Sequence, residues 1–329
     1  MTTLQEQLDA SQWWPAAVLR EQQLAQAAAL IRHAAATAPF WRERLEPEGA
    51  LTMAEFRSLP LLERHDIANA GAAFFSNAVP ESHGAMFDIA SSGSTGTPVR
   101  VRGTGMTQAL QQALSLRGYR WHGYDFSAKA AIIRPAIGGG AAPAATTWSP
   151  LPGGGPAVWI DTALAFDALL DRLIEEEPEY LTAHPYTLLG LLDESERTGL
   201  RPARLQKVRT LGEALEPRIR EKARRLWNVP VIDLYGAMEV GFIALQCPES
   251  EGLHVMAEGV LLEVVDDAGE PCAPGTVGRV VVTALENYAS PLIRYALGDY
   301  ARAGETCRCG RGLPVIDTVL GRQRNLLVL

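Results

Sequence analysis

Between residues 130 and 236, apolar β-like runs alternate with stretches of helical periodicity, and this alternation limits the fold more than any other feature. AAIIRPA (130–136), EYLTA (179–183), VRTLG (208–212) and VPVIDLYG (229–236) read as strands. ALAFDALLDRLIEEE (163–177), YTLLGLLDESERTG (186–199) and EPRIREKARRLW (216–227) read as helices, the second closed by Gly199. Strands alternating with helices build layered α/β folds, because each helix buries its apolar stripe on a face of the sheet. The flanks read differently. Residues 1–80 are mainly helical: Leu24, Ala27, Ala28 and Ile31 recur at i, i+3, i+4 and i+7, and Pro39 ends the run. Thr52 is placed to cap a short helix around Met53–Arg57. After Glu239 helical periodicity disappears, and residues 260–285 read as two strands around a turn. The expected class is therefore α/β, with layered β-sheets, flanking helices and a β-rich C-terminal part.

Composition removes several functions. The net charge of −8 counts against nucleic-acid binding, which needs a basic face. No apolar run approaches the roughly 20 residues of a membrane span. The opening MTTLQEQLDASQWWP carries acidic residues and no apolar core, unlike a secretory signal. Four cysteines are too few for a disulfide scaffold of 329 residues. These features lead to the expectation of a cytoplasmic enzyme or binding protein.

SSGSTGTP (91–98) joins the strand candidates FDIA and VRVRGT. Backbone N–H groups and hydroxyls in such a loop can converge on one anion. It lacks the Lys-Ser/Thr and following helix of a Walker loop, so by itself it is equally a polar hairpin loop. Two later segments change its weight: LYGAMEVG (234–241), then PLIRYALGDYA (291–301) followed by LGRQRN (320–325). This ordered set resembles the adenylate-forming superfamily of acyl-CoA synthetases, luciferases and adenylation domains. APFWRERL (38–45), LPLLERHDI (59–67), GLHVMAEGVLLEVVD (252–266) and CRCGRGLPVIDTVLGR (307–322) are similar to the phenylacetate–CoA ligase branch. Arg64 stands where that branch usually has Lys, Met238 where it has Thr, and Ala296-Leu297 where it has Arg-Thr.

The resemblance implies roles. Ser91, Ser92, Gly93, Ser94, Thr95, Gly96 and Thr97 would embrace the β- and γ-phosphates of ATP. Tyr235 would stack on adenine, with Gly236, Ala237 and Met238 beside it and Gly212, Glu213 and Ala214 below the base. Glu239 would hold magnesium as the catalytic carboxylate. Asp299 would accept hydrogen bonds from the ribose hydroxyls, and Arg322 would approach the same ribose. Taken singly, Tyr235 also reads as a core tyrosine, Asp299 as a turn residue and Arg322 as a surface arginine. The acid pocket is expected from Ala136, Ile137, Gly138, Gly139, Leu234, Gly241 and Phe242, small and apolar linings that suit an aryl or short alkyl acid. The Gly138–Gly140 run reads equally well as a plain loop.

Cys247 and His254 precede Cys307-x-Cys309 by about 50 residues, on two short loops of the β-rich part. Thiolate and imidazole ligands suit tetrahedral zinc, although reduced cysteines beside a surface histidine give the same pattern. These four positions match a site carried by members of the phenylacetate–CoA ligase branch. The zinc would be structural, because four protein ligands leave no open position. Cys272 is left over.

The expected activity is ATP-dependent conversion of a small aromatic carboxylic acid to its acyl-adenylate, then transfer to CoA. Transfer to an amine or carrier protein is the alternative, and a degenerate nucleotide-binding protein is the third reading. The expected organisation is a helical segment over 1–80, an adenylate-forming core over 81–320 and the start of a hinge at 321–329. The small C-terminal domain of the superfamily would then be missing. A homodimer, no nucleic acid and no membrane complete the expectations.

Overall fold

The computed structural model describes residues 2–45, 51–90, 99–135, 147–149, 151 and 153–322. Two compact units emerge: Met1–Gly118 together with Gly236–Leu329, and Tyr119–Tyr235.

The first unit begins with α1 (Thr2–Ser11), α2 (Ala16–Thr37), α3 (Pro39–Arg42), α4 (Met53–Ser58) and α5 (Arg64–Ala70). In α2, Ala27 and Ile31 are buried as the periodicity requires. Leu24 and Ala28 sit on the half-buried flank of that face, while Gln23 is buried and donates to the Val260 carbonyl at 2.8 Å. Thr52 caps α4 through a capping box with Glu55, each side chain meeting the other's backbone N–H. The hairpin of β1 (Met86–Ala90) and β2 (Arg100–Thr104) follows, with Met86 opposite Thr104. The helix α6 (Gly105–Trp121) comes next. It buries Leu110, Ala113, Leu114 and Arg117, a spacing of i, i+3, i+4 and i+7.

The second unit contains β3 (Ala130–Arg134), β4 (Ala157–Asp161), α7 (Phe166–Glu176), β5 (Tyr180–Ala183), α8 (Pro185–Thr198), β6 (Lys207–Leu211), α9 (Pro217–Trp227) and β7 (Val231–Ala237). The strand order is β4-β3-β5-β6-β7, every pair parallel. Leu169, Leu173, Leu181, Leu188, Val208 and Trp227 form the core between helices and strands. Ligands of such sheets bind beyond the C-terminal ends of the strands.

The chain then returns to the first unit with β8 (Gly241–Gln246), β9 (Leu253–Val255), β10 (Val260–Val265), β11 (Val277–Ala284), β12 (Tyr295–Ala303) and β13 (Val315–Arg322). Their order is β10-β11-β12-β13-β9-β8, all antiparallel. No helix follows Glu239 among the described residues, as the lost periodicity implied. No described helix is long and apolar enough to cross a membrane.

LPLLERHDI and PLIRYALGDYA, far apart in sequence, are joined here. Leu62 N–H donates to the Arg294 carbonyl at 3.0 Å, and Ala296 N–H donates to the Leu62 carbonyl at 2.9 Å. The Arg294 guanidinium reaches the carbonyls of Arg57 and Leu59 and pairs with Glu263 at 3.1 Å. Both charges are buried, so the pair lasts only because these hydrogen bonds complete it. Trp41 Nε1 donates to the Pro291 carbonyl at 2.9 Å, tying APFWRERL to the same segment.

Candidate functional site

Met238, Glu239 and Val240 form the turn after β7, closed by Val240 N–H to the Ala237 carbonyl at 3.1 Å. The turn is too tight for side chains at two of its glycines. A Cβ on Gly236 would lie 2.6 Å from the Gly241 carbonyl oxygen. Gly241 has φ +89°, and a Cβ there would lie 2.3 Å from the Gln111 amide. Glu239 is only 4% exposed. The Tyr295 hydroxyl donates to its Oε1 at 3.1 Å, and Arg64 Nη1 lies 3.5 Å from the same oxygen. Burial and the Glu239 charge push the Tyr295 hydroxyl well above the usual tyrosine range, against the opposing Arg64 and Arg322. Tyr295 thus stays a donor that orients the carboxylate. Met238 is 62% exposed and brings a thioether where a hydroxyl would be a donor.

A cavity of about 220 Å³ opens against this turn. Met238, Glu239, Val240, Gly241 and Phe242 form one wall, with Phe87, Ile89, Leu110 and Leu114 as apolar partners. Of the residues assigned to the acid pocket, Gly241 and Phe242 line this cavity. Leu234 does not line it, being buried in β7 at the core of the second unit. Ala136, Ile137, Gly138 and Gly139 lie outside the described residues, as do Ser91, Ser92, Gly93, Ser94, Thr95, Gly96 and Thr97. The lining is more polar than the sequence segments suggested: Thr107, Gln108, Gln111, Glu286 and Asn287 also face the cavity. They come from α6 and from the loop after β11, outside the sequence motifs. Apolar and polar residues are mixed around α6, so neither Gln111 nor Glu286 carries a local sequence signal.

Asp299 and Arg322 are cross-strand partners on β12 and β13, with Arg322 Nε 3.2 Å from Asp299 Oδ1. The structure thus brings together two residues assigned to the same ribose. In the second unit, Gly212, Glu213 and Ala214 follow the C-terminal end of β6. Glu213 Oε2 accepts the Tyr186 N–H at 2.9 Å at the start of α8. Tyr235 is buried near the end of β7. Two residues before it, Asp233 accepts the Thr210 hydroxyl at 2.8 Å, and burial raises its pKa.

The thiols and imidazole of Cys247, His254, Cys307 and Cys309 converge, all ligand atoms lying within 4.8 Å of one another. Cys247 follows β8, His254 lies in β9, and the other two lie between β12 and β13. The Cys247 and Cys307 sulfurs are 3.7 Å apart, and Cys309 Sγ is 3.2 Å from His254 Nε2. A tetrahedron with Zn–S bonds of about 2.3 Å has edges of about 3.8 Å, so the donor set fits zinc in number, type and size. His254 Nδ1 faces the Leu313 carbonyl at 3.4 Å, the outer contact expected of a ligating histidine. Burial pushes the Cys247 thiol up to about 11 and His254 down to about 4, which keeps the imidazole neutral. The Cys307 thiol is lowered despite its burial, by hydrogen bonds from Cys309, Ser250 and Cys247. Cys272 stands apart from the cluster, and all four cysteines are free of disulfides.

Comparison with known proteins gives this geometry a context. The chain is 28% identical to a phenylacetate-coenzyme A ligase of Thermus thermophilus, over 91% of this chain and 69% of that protein. It is 25% identical to a phenylacetate-coenzyme A ligase of Pseudomonas putida, over 94% of this chain and 72% of that one. Its fold superposes on 2-hydroxyisobutyryl-CoA ligase with a TM-score of 0.77 at 19% identity, covering 97% of this chain and 71% of that structure. Residues 24–285 match the family described as AMP-binding enzyme, and since that match spans most of the chain, the chain belongs to the AMP-binding enzyme family.

Proposed function

We propose that this chain activates a small carboxylic acid with ATP and passes the acyl group to CoA. A carboxylate oxygen attacks the α-phosphorus, pyrophosphate leaves, and the acyl-adenylate forms. The CoA thiolate then attacks the acyl carbon and AMP leaves. The observation that carries this reading is the cavity set directly against the Glu239 turn in a chain of the AMP-binding family. Its similarity to phenylacetate-coenzyme A ligases along nearly its whole length supports the CoA step.

Each residue has a part in that scheme. The hydroxyls and N–H groups of residues 91–97 bind the β- and γ-phosphates. Gly212–Ala214 and Tyr235 bound the adenine, while Asp299 takes the ribose hydroxyls and Arg322 steadies Asp299 through their ion pair. Tyr295 and Arg64 engage one oxygen of Glu239, and the other has no partner among the described residues. That free oxygen suits magnesium, a hard cation that would neutralise phosphate charge. A structural zinc on Cys247, His254, Cys307 and Cys309 ties the β8–β9 segment to the loop between β12 and β13. A cytoplasmic setting, which keeps the cysteines reduced, and a homodimer belong to the same reading.

The test is pyrophosphate release with a panel of acids, with and without CoA. Release with thioester formation is the expected result. Release without thioester favours an amine or carrier-protein acceptor, a reading that the exposed Met238 keeps open. ATP binding with no release for any acid would leave a degenerate nucleotide-binding protein and overturn the proposal.

A further inference from the structure

The cavity beside Glu239 has an electrostatic feature that an all-hydrocarbon acid would leave unused. Glu286 lines it from the loop after β11. Its only hydrogen bond among the described residues is the one its Oε1 accepts from Gln26 Nε2 at 3.1 Å. No described lysine, arginine or histidine forms an ion pair with it. Burial raises its pKa, with the Gln26 contact opposing. A carboxylate in this position is costly unless donors complete its hydrogen bonding.

Two amides on the same cavity are held in known orientations. Gln111 Oε1 accepts the Phe242 N–H at 2.6 Å, so its Nε2 is the end left over. Asn287 Oδ1 accepts the Ser290 N–H at 3.1 Å, which leaves its Nδ2. Neither nitrogen has an acceptor among the described residues. Gln111 and Asn287 therefore bring two donor groups, suited to a carboxylate or carbonyl, and Glu286 brings an acceptor, suited to an N–H or O–H, beside Thr107, Gln108 and Glu239 on the same lining. Phe87, Ile89, Leu110 and Leu114 supply the apolar remainder. At about 220 Å³ it lies below the roughly 300–1,000 Å³ of drug-sized pockets, which restricts it to a small ligand.

We infer that the acid activated here carries an amino or hydroxyl group, and that Glu286 accepts a hydrogen bond from it. This inference rests on the cavity being the acid site of the proposed adenylation. Glu286 is then a specificity residue, which distinguishes a polar-substituted acid from its methyl analogue. The discrimination arises because a methyl group in that place displaces water from Glu286 and offers no donor in its stead, leaving the carboxylate only its Gln26 hydrogen bond.

The test uses the full chain and isosteric pairs. The 2-, 3- and 4-amino- and hydroxybenzoates are compared with the corresponding methylbenzoates, and 2-hydroxy-2-methylpropanoate with 2,2-dimethylpropanoate. Pyrophosphate release gives kcat/KM, and calorimetry gives affinity without requiring turnover. At least one amino or hydroxy acid should exceed its methyl partner by about tenfold or more. Amino against hydroxy arms show which donor is read. In Glu286→Gln the ratio within that pair should fall toward one. Equal or better use of every methyl partner by the wild-type chain overturns the inference while leaving the adenylation proposal standing, and this arm needs no variant to fold. Absence of both binding and release for every acid overturns the adenylation proposal and the inference with it.

Discussion

Removing zinc from Cys247, His254, Cys307 and Cys309 should lower the melting temperature of the first unit. The four ligand atoms lie within 4.8 Å, and the 3.7 Å Cys247–Cys307 separation is close to the tetrahedral edge, so little rearrangement opposes binding. The ligands come from β8–β9 and from the loop between β12 and β13, segments some 50 residues apart. Unfolding separates them, so the metal binds the folded state and stabilises it by linkage. At free zinc about 1,000-fold above its dissociation constant, this contributes about 4 kcal/mol. For a unit of this size about 1 kcal/mol shifts the melting temperature by roughly 2–4 °C, so stripping the metal should lower it by roughly 8–16 °C. The assay is elemental analysis of protein purified without chelators, followed by thermal melts with and without a chelator. One zinc per chain is expected. Cys309→Ser should lose most of the metal, whereas Cys272→Ser should retain it, because Cys272 lies outside the cluster. A metal-free preparation that cannot be loaded with zinc, or a Cys309→Ser protein that keeps it at full affinity, would refute the reasoning.

Glu239→Gln should abolish magnesium-dependent pyrophosphate release while leaving the circular dichroism spectrum unchanged, since the amide can still accept from Tyr295. Arg294→Met should destabilise the chain by about 3–5 kcal/mol in urea unfolding, because it leaves the buried Glu263 without its principal partner. His33 and His83 flank the ring of Tyr288, each with its centroid 4.7 Å from the tyrosine's, and burial lowers both histidine pKa values. The folded state therefore binds fewer protons than the unfolded state. Stability should fall as pH drops below the free-histidine value of about 6.5, and His33→Gln should reduce that slope in denaturant titrations at several pH values.

Features that depend on neighbours along the chain were legible in the sequence. Alternating apolar runs specified a layered α/β arrangement from residue 130 to residue 236, because strand and helix periods record which face of each element is buried, while the parallel pairing of its strands came from the structure. Thr52 was recognisable as a cap and Gly199 as a stop, since both act within a turn or two of the chain. Cys247, His254, Cys307 and Cys309 could be grouped from residue type and the family resemblance, and the structure brings their side chains together. What local pattern does not contain is register and the meeting of distant elements. Asp299 lies opposite Arg322 only after the β12–β13 pairing shifts at Tyr300–Ala301, and no side-chain periodicity encodes that irregularity. Arg64, Glu239 and Tyr295 belong to three separate motifs, and their convergence on one carboxylate follows from the pairing of the Leu62 and Tyr295 segments. The cavity is the clearest case. Gln111 projects from α6 and Glu286 from the loop after β11, 175 positions later. In sequence each reads as an ordinary surface polar residue, and only the packing of those elements beside the Glu239 turn brings them onto one cavity.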